Sequence, residues 1–413
     1  MTYIQDLAYN AKKASQLLRC ISVEQRAAAL KLMAEKLLLV KNEVLAANAA
    51  DLADAANMPA AFRKRLTVDE KVFQYMTERL TKAAALPDPV GKIIEERCMP
   101  SGLNVRRVSV PIGVIAIIYE ARPNVTADAA AVAVKSGNAI ILKGGSESLR
   151  TNMVLAEAMK SAAYEAGLPE NTIQLINTAD RSAVTELLQQ DKYIDLIIPR
   201  GGKSLIRAIA DGTHIPVLKH YDGICHLYIA SDADAKMAEN LVINSKCQNN
   251  AVCNALETLL VDKNFPLESL QKIIDALKKN SVEIRGCEKL LAAFPECVPA
   301  LPEDWDTEYL GNILSVRIVN DINDAMSHIA EHSSGHTDGI ITSSDELANI
   351  FIANVDSASV LVNASTRLSG GGDYGMGAVV GISTDRLHAR GPVGPDELCT
   401  YKWVAVGNGT LRK

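Results

Sequence analysis

Apolar positions recur three and four residues apart from residue 4 to residue 88 and predict an all-helical opening. Capping-box starts at Ser22 to Gln25 and at Thr67 to Glu70 support that reading. From Ile93 to Val110 the pattern changes to two extended runs around Pro100, Ser101 and Gly102. That predicts a hairpin outside the main sheet, with Arg106 and Arg107 on its return strand as a solvated or subunit-contact pair. Short apolar runs then alternate with alanine-rich helical stretches: Val114 to Tyr119, Ala139 to Leu142, Ile173 to Ile176 and Ile194 to Ile198. Such alternation predicts a parallel sheet covered on both faces, with ligands at the carboxyl ends of its strands. A second series begins near His226 and continues through Leu256 to Val261, Ile313 to Ile318, Gly339 to Thr342 and Val360 to Asn363, predicting a second α/β domain. Gly370, Gly371 and Gly372 open an irregular tail containing Gly391, Pro392, Gly394 and Pro395.

At 413 residues the chain exceeds the usual size of one core, in agreement with two domains. Hydrophobic residues at 48% and charged residues at 22% match a globular protein rather than a disordered one. A net charge of −6, with both signs spread along the chain, offers no basic patch for nucleic acid. The opening MTYIQDLAYNAKKASQLL reads as an amphipathic helix without the features of a secretory signal, and no apolar run reaches membrane-spanning length. The expected compartment is the cytoplasm, with no membrane partner. There the eight cysteines are expected to be reduced, and their spacing shows no paired CxxC framework for zinc.

The chain lacks GxGxxG. Its nearest phosphate-loop candidate is IIPRGGKS, Ile197 to Ser204, where Ile197 stands in the place of the first Walker glycine, so a phosphotransferase is excluded. What remains is a strand, Gly201, Gly202 and a helix beginning near Ser204. This is either an ordinary turn or a helix terminus able to hold a pyrophosphate. His328, His332 and His336 recur every four residues, but no carboxylate or thiol partner is evident and the helix is expected to end near Ser333. A structural or substrate-orienting role is expected for them, and no metal site.

The segment VPIGVIAIIYEARPNVTADAAAVAVKSGNAIILKGGSE, Val110 to Glu147, is more specific. Its ProxxGlyVal strand opening, its alanine-rich helix, the pair Gly137 and Asn138, and a strand ending in Lys143 resemble the cofactor half of the aldehyde dehydrogenase superfamily. That superfamily binds its nicotinamide cofactor without the glycine fingerprint. Cys253, in KCQNNAVCNALETLLV, falls at the superfamily's nucleophile, and Glu308, in EYLGNILSVRIV, matches the GluxxGly motif whose glutamate holds the nicotinamide ribose. Over essentially the whole chain the resemblance is to the gamma-glutamyl phosphate reductases, also called glutamate-5-semialdehyde dehydrogenases. It is carried by LKHYDGICH (Leu218 to His226), VNDINDAMSHIAEHSSGHTDGII (Val319 to Ile341) and GISTDRLHARGPVGPDELCTYKW (Gly381 to Trp403).

The resemblance implies an α/β, aldehyde dehydrogenase-like fold. Residues 1–91 and 112–226 would bind cofactor, residues 227–384 would be catalytic, and residues 92–111 and 385–413 would be oligomerisation segments. The activity implied is NADPH-dependent reduction of L-glutamyl 5-phosphate to L-glutamate 5-semialdehyde in proline biosynthesis, through a thioester on Cys253. The substrate could be handed over by glutamate 5-kinase, and the chain is expected to form a homo-oligomer, a dimer or tetramer. Cys247 is read as packing. Where hydrolytic members carry a glutamate base, this chain has Lys219 to Gly223, with His220 nearest that place, which suits a thioester that must survive until hydride arrives. The side-chain donor to the oxyanion is left open between Arg122 and Asn124. Lys143 and Ser146 are expected to hold the 2′-phosphate of NADPH, whereas a register one residue longer would place Glu147 there and favour NADH. Two other readings remain at this point: a hydrolytic aldehyde dehydrogenase acting on another semialdehyde, and a catalytically inactive cofactor-binding protein of the same fold.

Overall fold

The computed structural model describes residues 1–412 and divides into two units, residues 1–219 with 375–381 and 393–412, and residues 220–374 with 382–392. The first unit opens with five helices, α1 (Tyr3–Leu18), α2 (Val23–Leu39), α3 (Lys41–Asp54), α4 (Ala60–Leu66) and α5 (Glu70–Ala85). Ser22 caps α2 as expected, with its hydroxyl accepting from the Gln25 N–H. Thr67 does not cap α5: Asp69 holds that place and accepts from the Val72 N–H, while the Thr67 hydroxyl turns back to the Arg63 carbonyl. The Asp69 carboxylate sits where the extended N-cap backbone aims it at the free N–H groups of the first turn. A capping box that the sequence pattern did not single out joins Thr2 and Gln5.

Strands β1 (Ile93–Cys98) and β2 (Asn104–Pro111) form the expected antiparallel hairpin. Four parallel strands follow, β3 (Val114–Tyr119), β4 (Ala139–Gly144), β5 (Ile173–Leu175) and β6 (Leu196–Arg200), in spatial order β5-β4-β3-β6. They are joined through α6 (Asn124–Lys135), α7 (Leu149–Glu165) and α8 (Ser182–Leu187), and α9 (Lys203–Asp211) leaves β6. All six residues of β3 and all six of β4 are buried, and α6 is buried along every residue from Val125 to Lys135. Alanine makes this possible, because a helix with methyl side chains can be packed on every side. At its end the Lys135 ammonium is taken in by the Ala84 and Leu86 carbonyls.

The second unit is built on a seven-stranded sheet and five α-helices. Its elements are β7 (Cys225–Ile229), α10 (Ala235–Cys247), β8 (Leu256–Asp262), α11 (Leu267–Lys279), β9 (Glu283–Gly286), α12 (Glu288–Ala293), β10 (Val298–Pro299), β11 (Ile313–Val319), α13 (Ile322–His332), β12 (Thr337–Ile341), α14 (Asp345–Asn354) and β13 (Ser359–Val362). The strands lie in the order β10-β9-β11-β8-β7-β12-β13, all parallel. A short pair, β14 (Ile382–Ser383) and β15 (Gly391–Pro392), belongs to this unit as well. The chain ends in the first unit with β16 (Cys399–Val406), which pairs antiparallel with β2 over its full length and makes a three-stranded sheet β1-β2-β16.

Candidate active site

Between the end of α10 and the start of β8 the chain makes an irregular turn, and Cys253 lies on it, half-buried. Three contacts hold the turn. Gly223 packs so closely on the Cys253 main chain that a Cβ there would lie 2.0 Å from the Cys253 carbonyl oxygen, so only glycine fits. The Cys225 thiol donates to that same carbonyl at 3.2 Å, and burial raises this thiol well above its usual range, so it stays a protonated donor. Arg367, on the single turn Thr366–Leu368, reaches across both limbs. Its Nε donates to Gln248 Oε1 at 2.9 Å, its Nη1 to Asn254 Oδ1, and the Asn254 amide donates back to the Arg367 carbonyl at 3.1 Å.

The ends of the turn are joined by a buried ion pair, Lys246 Nζ to Glu257 Oε2 at 2.6 Å. Burial pushes the Glu257 carboxyl up and the Lys246 ammonium down, and each charge opposes the shift of the other. The second Glu257 oxygen accepts from the Leu310 N–H at 3.2 Å, and Leu310 stands at φ +50, a left-handed conformation that needs such anchoring. Glu308, two residues earlier, accepts from the Gly223 N–H at 3.0 Å. Glu308 and Cys253 are thus both tied to Gly223.

His220 places Nδ1 at 2.9 Å from the Ile382 carbonyl, which fixes the proton on that nitrogen, and its ring meets the His336 ring edge-on at 5.7 Å. His336 in turn lies 3.8 Å from the Cys225 sulfur. Contacts therefore run from His220 through His336 and Cys225 to Cys253. Cys247, the last residue of α10, instead packs against the apolar core of this unit, and burial raises its thiol.

The other two periodic histidines do something different. His328 packs edge-on against Trp305 at 5.2 Å and His226 at 5.5 Å, and His332 pairs with Asp306 at 2.9 Å. Sequence alone showed no carboxylate beside these histidines. The fold supplies Asp306 from the loop that leads to Glu308, so α13 braces that loop.

In the first unit, the chain builds β3, β4 and β5 outward and then returns to place β6 on the other side of β3. The carboxyl ends of β3 and β6 flank this reversal, the position where open parallel sheets take ligands. Gly201 and Gly202 follow β6, and the Gly202 N–H donates to Glu120 Oε2 at 2.9 Å, so the carboxylate that follows β3 already caps α9. A Cβ on Gly202 would meet no atom within 4 Å, which leaves open space beside the helix start.

At the end of β4, Lys143 is buried and donates to the Gly144 carbonyl at 2.8 Å, while Ser146 is exposed. Glu147 turns inward, accepting from the Ala121 N–H at 2.6 Å. Exposed Ser146 at β4 and open Gly202 at β6 fit an extended dinucleotide laid across the strand ends. Asn124 begins α6 and donates to Asp128 at 3.2 Å. Asp128 pairs with Arg79 at 2.9 Å, and burial raises its carboxyl to about 6 against that cation. Arg122 is half-buried in the turn just before α6.

Residues 2–286 match the model of the aldehyde dehydrogenase family. A gamma-glutamyl phosphate reductase of Zymomonas mobilis is 46% identical over 98% of this chain and 95% of its own length. The chain belongs to the aldehyde dehydrogenase family, among its gamma-glutamyl phosphate reductases. Another such reductase, from Caldanaerobacter subterraneus, is 45% identical over 98% of this chain and 99% of its own. The crystal structure of a gamma-glutamyl phosphate reductase from Thermotoga maritima superposes with TM-score 0.97 at 40% identity, covering 100% of both chains.

The aldehyde dehydrogenase-like α/β fold expected from the sequence is therefore borne out. In this family setting the second unit holds Cys253, His220 and Glu308 in one set of contacts. The first unit holds Arg122, Asn124, Lys143, Ser146, Gly201 and Gly202. Sequence reasoning did not single out Arg367, Cys225, Glu120 or the Lys246–Glu257 pair. Cys225 lay inside the quoted stretch LKHYDGICH, but nothing in its spacing announced a contact with Cys253.

Proposed function

We propose that this chain reduces L-glutamyl 5-phosphate to L-glutamate 5-semialdehyde at the expense of NADPH, releasing phosphate, in proline biosynthesis. The observation that carries the reading is the 46% identity over 98% of the chain to an enzyme named for this activity. The Cys253 thiolate attacks the acyl carbon, a C–S bond forms, and the C–O bond to phosphate breaks with its electron pair leaving on the phosphate. The nicotinamide, when bound, would supply the hydride that takes the thioester to the aldehyde level, and the C–S bond then breaks with its electron pair returning to the Cys253 sulfur as the aldehyde leaves. The Cys253 N–H, with Asn124 or Arg122 as side-chain donor, receives the developing oxyanion. Where hydrolytic members carry a glutamate base this chain has His220, whose Nδ1 proton is held by the Ile382 carbonyl, so the thioester does not face a carboxylate base from that position.

For the cofactor, Lys143 and Ser146 would take the adenosine end, the helix start at Gly201 and Gly202 would take the pyrophosphate in place of the Glu120 carboxylate that now accepts from the Gly202 N–H, and Glu308 would take the nicotinamide ribose. No helix among the described residues is long and apolar enough to cross a membrane. We place the enzyme in the cytoplasm as a homo-oligomer that receives substrate from glutamate 5-kinase. The deciding experiment is the reverse reaction: reduction of NADP⁺ by glutamate 5-semialdehyde must depend on added phosphate. Aldehyde oxidation that ran at full rate without phosphate and yielded glutamate would overturn the reading.

A further inference from the structure

Arg367 stands in an unusual electrostatic position. It is half-buried, and burial lowers its guanidinium, a shift opposed first by Cys253 and then by Asp373. Yet the oxygens it touches, Gln248 Oε1 and Asn254 Oδ1, belong to neutral amides, so its hydrogen bonds orient the cation without compensating its charge. Those bonds engage Nε and Nη1 and leave Nη2 outside them. A guanidinium presents five N–H donors in a planar fork that matches phosphate oxygens. Here the fork is fixed on residues to either side of Cys253 within the turn, and among the described residues its side-chain hydrogen bonds go to amides and none to a carboxylate, Asp373 acting on it through charge alone.

We propose that Arg367 binds the phosphate group of the acyl-phosphate substrate beside Cys253 and stabilises that phosphate as it leaves. This rests on the reading of Cys253 as nucleophile and of an acyl phosphate as substrate. As the C–S bond forms and the C–O bond breaks, the departing phosphate gains the electron pair and its negative charge grows next to Nη2. In the reverse direction the same contact holds inorganic phosphate against the thioester carbon. Arg367 is then required for the phosphate step and not for hydride transfer between aldehyde and cofactor.

The reverse reaction separates the two steps. With aldehyde and NADP⁺ but no phosphate, the wild-type enzyme gives one burst of NADPH per site as Cys253 is acylated, and turnover starts on adding phosphate. Arg367→Gln is expected to keep the burst amplitude and to lose roughly 100-fold in kcat/KM for phosphate, and for arsenate alike. Arg367→Lys recovers part of that loss, because it restores the charge without the fork, and added guanidinium chloride rescues Arg367→Ala. A kcat/KM for phosphate within about twofold of wild type in Arg367→Gln overturns the proposal. So does a burst lost in parallel with the phosphate step, which would make Arg367 only a prop for the turn. If instead Cys253→Ser retained the burst, the reading of the nucleophile itself would fall, whatever Arg367 does.

Discussion

Lys246 and Glu257 lie 2.6 Å apart with both side chains shut off from water, one at the last turn of α10 and the other at the second residue of β8. The pair closes the base of the turn that carries Cys253, and through Leu310 it also holds the Glu308 loop. Removing one partner leaves a buried charge alone, which costs about 3–5 kcal/mol, whereas an apolar pair of similar volume is close to neutral. Lys246→Met and Glu257→Leu are each expected to lose that much stability in urea denaturation, and the double variant to return to within about 1 kcal/mol of wild type. Additive single losses in the double variant would show that the two charges do not act as a pair.

Cys253→Ser should bind cofactor normally and lose turnover and thioester formation, since an unactivated hydroxyl is a far weaker nucleophile than a thiolate. Cys247→Ser should keep most activity, because its thiol packs in the apolar core. Peptide mapping after acylation with substrate checks both. Label on Cys247, or full activity in Cys253→Ser, contradicts the assignment.

Cofactor choice is expected to turn on Ser146. Its exposed hydroxyl can donate to a 2′-phosphate, and the neighbouring Glu147 carboxylate is turned inward to the Ala121 N–H, away from the register that would favour NADH. Wild type should therefore prefer NADPH, and Ser146→Glu should shift the ratio of kcat/KM values toward NADH by about tenfold or more through charge repulsion. A ratio unmoved by the substitution would show that this loop does not read the phosphate.

Burial, with His226, His332 and the Arg317 guanidinium around it, lowers the His328 imidazole to about 2 from its ordinary 6.5. The folded state thus keeps His328 neutral while the unfolded chain protonates it near pH 6.5, so this contribution to stability is present above pH 6.5 and is lost as pH falls below it. The slope is about 1.4 kcal/mol per pH unit, or about 2 kcal/mol between pH 6.5 and 5. Urea denaturation across that range should show a shallower pH dependence for His328→Phe than for wild type. Parallel profiles would place the acid sensitivity in other groups.

Strands β1 and β16 are the two open edges of the three-stranded sheet, and β16 carries Tyr401 and Trp403, each about half exposed. Open edges with exposed aromatics favour pairing with another chain. A dimer or a dimer of dimers is expected by light scattering at micromolar concentration. Trp403→Asp should raise the dissociation constant of the assembly, and a wild-type monomer would count against an edge-mediated assembly.

Local pattern determined much of this protein. Strand and helix periodicity predicted the hairpin, the four parallel strands of the first unit, five of the seven in the second unit's sheet and the end of α13 near Ser333, because burial on one face leaves its spacing in the sequence, whereas the short β9 and β10 at the sheet edge left no such signal. The turn before Leu256 was legible for the same reason, since it lies between two strongly periodic elements. The cap of α5 was misplaced, because neighbouring polar residues compete for a cap and only the backbone conformation decides between Thr67 and Asp69. Tertiary structure alone decided what surrounds Cys253. Arg367 stands 113 residues from the Asn254 it holds, Cys225 28 residues from the carbonyl it holds, and Lys246 and Glu257 look like ordinary surface charges until the fold buries them. A charge or thiol separated by so much chain has no periodicity to betray its partner. Its role is set when long-range packing removes water and leaves one group within reach.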